Sequence, residues 1–218
     1  MCIRDSTKLF SPYFDVFYTN TEQSLPAYES IGVQCRVLPF AADASFHRPL
    51  PNVRRTADVV VVGGARPERK ETVARLRATP IKVCTYGQGW RPRWLEVLRL
   101  STAVHGMAQV RAINSAPLYL SFAQTVAGHT NVKVGLFEAA ACGVCVLVER
   151  FPEVQKYFTD QKEIVLFDSD RDLVEKIQAL RKNPEGAQQI GAAARQRVLT
   201  EHTWEHRWQK VLEDIHAL

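Results

Sequence analysis

Apolar residues in this chain come in short runs separated by longer amphipathic stretches, an alternation that predicts strands each followed by a helix. The short runs lie at 57–62 (ADVVVV), 81–85, 102–104, 118–122, 144–148 and 163–167, which makes six predicted strands. Val144 to Val148 is apolar without interruption, the pattern of a parallel strand buried on both faces. Between the runs, helical spacing is read over 65–78, after Gly106, from Lys133 to Ala141, and then over 170–182, 184–200 and 203–217. Val134, Phe137 and Ala141 recur at three- and four-residue intervals, and Leu173, Ile177 and Leu180 form an apolar stripe. Gly143 sits where the end of a helix calls for a left-handed residue. The whole pattern predicts an α/β fold with a doubly wound six-stranded parallel sheet, whose ligands bind at the carboxyl ends of the strands.

Ahead of this unit, FDVFYTN reads as a strand, TEQSLPAYESIG as a helix ending at Gly32, and QCRVLPF as a second strand. AADASFHRP then forms a polar, proline-ended connector. Met1 to Ser6 carry no periodicity. The expected organisation is an unstructured start over 1–13, a strand–helix–strand tail with its connector over 14–53, the main unit over 54–200, and a terminal helix over 201–218.

Charge adds one feature to this picture. Residues 1–130 hold 16 basic and 9 acidic side chains, and residues 131–218 hold 12 and 14. Residues 54–93 alone carry ten basic against three acidic, which suits an anionic ligand, an acidic acceptor or peripheral membrane contact. No apolar run approaches the ~20 residues that span a bilayer. Five cysteines without framework spacing argue for a reducing, cytoplasmic setting.

Several residue sets could carry chemistry. Glu138 is a lone carboxylate on an apolar helix, and an unpaired buried charge is costly, so it is either exposed or hydrogen-bonded in a cleft. Gly63-Gly64 follow a strand and precede a basic helix start, where free N–H groups and the helix dipole favour phosphate. Arg69 and Lys70 are the candidate phosphate ligands, with Arg66 beside them. Gly87 and Gly89 do not complete a dinucleotide fingerprint, because Pro92 occupies its last position and the turn follows the second strand. Cys142 and Cys145 form a CxxC at a helix C-terminus, where the dipole raises thiol pKa values, so packing is expected rather than redox work. His202-Thr203-Trp204-Glu205-His206 matches a zinc-hydrolase signature. Thr203 reads as an N-cap, however, which places His202 off the helix and argues for a structural role.

FEAAACG, the apolar strand after it, and FPE resemble the nucleotide-sugar site of glycosyltransferases of the two-domain GT-B fold. The chain is similar to the spore maturation protein CgeB-like group, itself similar to the group 1 (family 4) glycosyltransferases. Asp43 and Arg48-Pro49 match the domain junction of those enzymes, and EHTWEHRW resembles the terminal helix of CgeB-like proteins. The resemblance implies a Rossmann-like, donor-binding C-terminal half, with residues 14–48 the tail of an acceptor-binding domain, and therefore a fragment that binds donor without transferring it. It also implies that Glu138 accepts the ribose hydroxyls, that Gly63, Gly64, Arg69 and Lys70 hold the diphosphate, and that His105, Gly106 and Met107 to Ala108 wall the base. Group 1 enzymes carry a first glutamate where this chain has Thr130; the CgeB-like group lacks it too, and Asn131 and Lys133 are the candidates for its polar contacts. The implied partners are a nucleotide sugar and an acceptor of unspecified class (glycan, protein or small molecule), with no nucleic acid, no metal and no separate cofactor. The catalytic base is expected in the acceptor-binding domain. The other readings are a non-catalytic nucleotide-binding module of the same fold and a zinc hydrolase.

Overall fold

The structure is a computed structural model, and it describes residues 9–92, 102–125 and 128–217. The expectation for Met1 to Ser6 lies outside the described residues, and the start predicted as unstructured over 1–13 includes a 3-10 turn at Ser11–Tyr13.

The first strands, β1 (Phe17–Thr19) and β2 (Cys35–Val37), pair in parallel across the short helix α1 (Leu25–Glu29). The main sheet contains β3 (Val59–Val62), β4 (Val83–Tyr86), β5 (Leu118–Ser121), β6 (Cys145–Glu149) and β7 (Val165–Phe167). All of its pairings are parallel, in the order β4-β3-β5-β6-β7. Helices α2 (Pro67–Arg77), α3 (Met107–Asn114) and α4 (Val134–Ala141) connect the strands, and α5 (Asp170–Lys182), α6 (Pro184–Glu201) and α7 (Trp204–His216) complete the chain. The predicted strand at 102–104 is corrected. Thr102 makes only an isolated antiparallel bridge to Gly87, so the described sheet has five strands and not six.

In the main sheet β3, β5, β6 and β7 bury both faces, while the edge strand β4 is half-buried throughout. One core layer gathers Val60, Tyr119, Val146, Val148 and the α4 residues Leu136 and Phe137. The opposite layer gathers Val59, Val61, Leu118, Leu120, Cys145 and Leu147 against α2 and α5 through Leu76, Leu173 and Ile177. Small side chains bring α4 and β6 close to α6: a Cβ on Gly191 would lie 2.4 Å from the Gly143 carbonyl oxygen. Gly143 has the left-handed φ of +73° that its position after α4 requires.

The strand–helix–strand tail is fastened to the C-terminal helix. Tyr18 Oη donates to Asp214 Oδ2 at 2.9 Å, and Arg36 pairs with Asp214 Oδ1 at 2.7 Å. Arg207 on α7 then donates to the carbonyls of Pro39 at 2.9 Å and Phe40 at 3.2 Å. Ala42 bridges to Thr203, with its N–H on the His202 carbonyl at 3.0 Å. These bonds fasten the connector to the junction of α6 and α7.

Candidate functional site

The chain winds one way from β3 to β4 and the other way from β5 through β7, so the topology switches direction between β3 and β5. Open α/β sheets leave a crevice at such a point, outside the carboxyl ends of the strands. A cleft of about 510 Å³ opens there. Its floor is the loop after β3 and the end of β4. Gly87 stacks so closely on that loop that a Cβ would lie 2.2 Å from the Gly63 carbonyl oxygen, and both glycines have positive φ, +138° and +144°. Trp90 Nε1 donates to the same carbonyl at 2.8 Å. The remaining walls are Ala103 to His105, the end of β5, and the first turn and a half of α4.

One side of the cleft is cationic. Arg69 donates from Nη1 to the Gly64 carbonyl at 2.9 Å and lies over the Phe122 ring at 5.3 Å. Its Nε is buried with no hydrogen-bond partner among the described residues. Lys133, the residue before α4, is half-buried; burial, with Arg66 and Arg69 nearby, pushes its ammonium down to about 8. Arg66 Nη2 donates to the Gln124 carbonyl at 2.6 Å. The start of α4 borders the same space, and a helix start leaves its first N–H groups without intrahelical acceptors. A cluster of cations at a helix N-terminus is an anion site.

The other side is acidic. Glu138 lies one turn further along α4, its side chain 15% exposed. Gln109 Nε2 on α3 donates to Oε2 at 2.7 Å, and His47 Nε2 stands 3.5 Å from Oε1. Burial lifts the carboxyl above its ordinary range, while His47 and the Gln109 bond oppose the lift. Beneath it, Tyr119 Oη contacts the Val62 carbonyl at 3.3 Å. A Cβ on Gly135 would lie 2.7 Å from that hydroxyl, so the glycine lets α4 settle over the ring. Burial, and secondarily Glu138, raise the Tyr119 hydroxyl pKa.

The structure therefore gathers Gly63, Gly64, Arg69, His105, Lys133 and Glu138 around one cleft. It places four other sequence candidates elsewhere. Lys70 is exposed and lines a separate groove with Arg77 and Trp90, because one residue along α2 turns a side chain away from Arg69's direction. Gly106 caps α3 with φ of +58°, and Met107 is 41% exposed; neither lines the cleft. Asn131 is buried behind it, with its N–H on the Ala123 carbonyl at 3.1 Å and its Oδ1 unpaired among the described residues. Arg66, given a lesser part, sits beside the cations. Sequence reasoning missed His47, Gln109 and Tyr119. For Gln109 and Tyr119 the available signals were a polar side chain in the first turn of α3 and a tyrosine between two leucines of β5.

The two other chemistry-bearing motifs face inward. Burial pushes the thiols of Cys142 and Cys145 up to about 12, which leaves them un-ionised at neutral pH. His202 lies outside α7, packed among Phe137, Tyr157 and Phe158 at ring distances of 5.4–5.7 Å. Burial and Arg207 push its imidazole down to about 4, so it is neutral; its Nδ1 accepts from Arg207 Nη2 at 3.1 Å. His206 turns back to Thr203, its Nδ1 lying 2.7 Å from Oγ1. The two histidines do not share a face, as a zinc pair on one helix must.

The sequence model of the glycosyl transferase-like family matches residues 66–213. No curated protein matches the chain. Among solved structures, sucrose-phosphate synthase from Thermosynechococcus elongatus superposes with a TM-score of 0.69 at 18% identity, covering 99% of this chain and 63% of that one. Anabaena HepE in complex with UDP and glucose gives 0.74 at 12% identity, covering 99% and 66%. The C-terminal domain of LpcC, a group 1 glycosyl transferase family protein from Francisella tularensis, gives 0.53 at 13% identity, covering 74% of this chain and 98% of that domain. The chain thus spans about two thirds of the length of the larger neighbours. On the family match it belongs to the glycosyl transferase-like family, and its fold is that of a GT-B glycosyltransferase C-terminal domain.

Proposed function

We propose that this chain is the donor-binding half of a glycosyltransferase that uses a nucleotide-diphosphate sugar, with UDP as the leaving nucleotide. The observation that carries the reading is that Lys133 at the start of α4 and Arg69 on α2 meet as a cation cluster, with a largely buried carboxylate one turn further along α4, all facing one cleft at the sheet's switch point. A nucleoside diphosphate has the complementary pattern. Its phosphates suit Arg69, Lys133 and the free N–H groups of α4. Its ribose diol suits Glu138, since an ionised carboxylate accepts two donors at once. The base then falls against Ala103 to His105. HepE, similar in fold, was crystallised with UDP and glucose, which supports UDP as the first ligand to test.

In the transfer step the bond between sugar C1 and the phosphate oxygen breaks, and its electron pair leaves on the diphosphate. An acceptor hydroxyl oxygen bonds C1 and gives its proton to a base. This chain's share of the work is to stabilise the departing charge through Arg69, Lys133 and the α4 dipole, which is electrostatic catalysis. With those cations in place donor binding needs no divalent metal, and UDP affinity is expected to be the same in excess chelator. Thr130, standing where group 1 enzymes carry a first glutamate, supports assignment to the CgeB-like subgroup. Residues 14–53 then act as acceptor-domain tail and hinge. Five cysteines without framework spacing support a cytoplasmic setting.

Calorimetry with UDP tests the reading. One hydrogen bond to a charged group is worth ~1.5–3 kcal/mol, so Glu138→Gln is expected to weaken UDP roughly 10- to 150-fold. Unchanged affinity would remove Glu138 from the site.

A further inference from the structure

We propose that His47 is a positioning residue for Glu138, so that the connector between β2 and β3, and not α4 alone, orients the acid that meets the ribose diol. The inference rests on the reading of Glu138 given above. His47 is 8% exposed, and its Nε2 faces Glu138 Oε1 at 3.5 Å. Its Nδ1 is 3.1 Å from the Asp43 carbonyl oxygen, which can only accept, so Nδ1 is the donor there; a second proton, held between Nε2 and the carboxylate, joins the ring to the acid. Gln109 occupies the second carboxylate oxygen at 2.7 Å. Each oxygen therefore has one protein partner and keeps lone-pair capacity for one ribose hydroxyl.

The ring is held from both sides of the connector. Asp43 Oδ1 accepts from the N–H groups of Ser45 at 2.9 Å and Phe46 at 3.3 Å, closing the turn that presents His47. Before that turn Ala42 is bonded to His202 and Trp204 across the α6–α7 junction, at 3.0 and 3.1 Å. After it, Asn114 on α3 donates to the Arg48 carbonyl at 3.1 Å and accepts from the Leu50 N–H at 2.9 Å. A side chain fixed this firmly can hold a carboxylate in one rotamer and remove the cost of ordering it when ligand arrives. It also ties the acid to the segment through which any movement of residues 14–38 against the main sheet must pass.

The test compares UDP with 2′,3′-dideoxy-UDP, which lacks the diol, by calorimetry. The ratio of the two affinities reads the diol contact alone. Glu138→Gln is expected to collapse that ratio. His47→Asn keeps an amide where Nδ1 stands but cannot span to Glu138; it is expected to lower the ratio roughly tenfold, with dideoxy-UDP affinity unchanged. His47→Gln carries an amide nitrogen to the Nε2 position and is expected to keep the wild-type ratio. Should the asparagine variant not fold, His47→Phe, which preserves ring volume, is read in the same way. Equal losses for both ligands in His47→Asn would mean that the ring only packs, and an unchanged ratio would mean that it does not touch the acid's work; either overturns the proposal. If Glu138→Gln collapses the ratio and His47→Asn does not, His47 alone is misread. If Glu138→Gln leaves the ratio intact, the diol assignment falls and the proposal falls with it.

Discussion

Phe137 and Glu138 are consecutive residues of α4, and they belong to two different regions of the molecule. Phe137 is fully buried against Tyr157, Phe158 and His202, where α4 meets the junction of α6 and α7. Glu138 turns into the cleft toward Gln109 and His47. Each region contains a histidine and a motif suggestive of chemistry. In the junction the polar groups bond chiefly to one another: Arg207 donates to three carbonyls and to the His202 ring. In the cleft the polar groups keep spare capacity, with an Arg69 Nε that is unpaired among the described residues and a depressed Lys133 ammonium. The two regions differ in unfinished hydrogen bonding more than in residue type.

The largest effect that separates the regions is on stability. Phe137→Ala removes a fully buried ring and is expected to cost ~3–5 kcal/mol. At ~2–4 °C per kcal/mol for a domain of this size, the melting temperature should fall by roughly 6–20 °C. UDP affinity of the folded fraction should change little. A large loss of UDP binding with unchanged melting would show that the two faces of α4 are not separable.

Glu138→Gln is the mirror experiment. Its ~1.5–3 kcal/mol effect should appear in UDP binding while the melting temperature stays near wild type. A melting shift as large as that of Phe137→Ala would reassign Glu138 to packing.

A smaller effect is read in pH. The Lys133 ammonium, at about 8 in the free protein, loses its proton as pH rises through that value, so diphosphate affinity should decline between pH 7 and pH 9.5. Lys133→Arg stays protonated and should flatten that alkaline limb. On the acid side the raised Glu138 carboxyl takes up a proton above the ordinary glutamate range, so affinity should fall on acidification sooner than a free glutamate would give. An alkaline limb that persists in Lys133→Arg would assign the titration to another group.

The smallest expected change is at the junction's zinc-like motif. His206→Ala loses the contact with Thr203 at the start of α7, a capping interaction worth ~0.5–1 kcal/mol. Zinc or a chelator should leave the stability of both proteins the same. Zinc-dependent stabilisation of the wild type alone would return the motif to metal chemistry.

Much of this architecture is legible in the amino-acid sequence, because its causes are local. An unbroken apolar run such as Val144 to Val148 has to be buried on both faces wherever it lies, and alternation with helical periodicity then leaves few folds besides a wound parallel sheet. The left-handed Gly143 and the N-cap role of Thr203 follow from position along a single helix, whereas the inertness of the cysteines comes from burial. The carboxyl-edge location of Gly63, Arg69 and Glu138 follows from the same rule, since it needs only strand direction. What required the folded chain is every statement about which way a side chain turns and what meets it. Arg69 and Lys70 are adjacent in a basic run, yet only the packing of α2 on the sheet sends one to the cleft and the other to an outer groove. The triplet Thr102-Ala103-Val104 reads as a strand, but it closes on Gly87 in a single antiparallel bridge, because edge pairing depends on a neighbour and not on the segment itself. His47 and Gln109 reach Glu138 from a connector and a helix far from it in sequence. Local pattern encodes burial and hydrogen-bonding need; the partner that meets the need is chosen by the tertiary path of the chain.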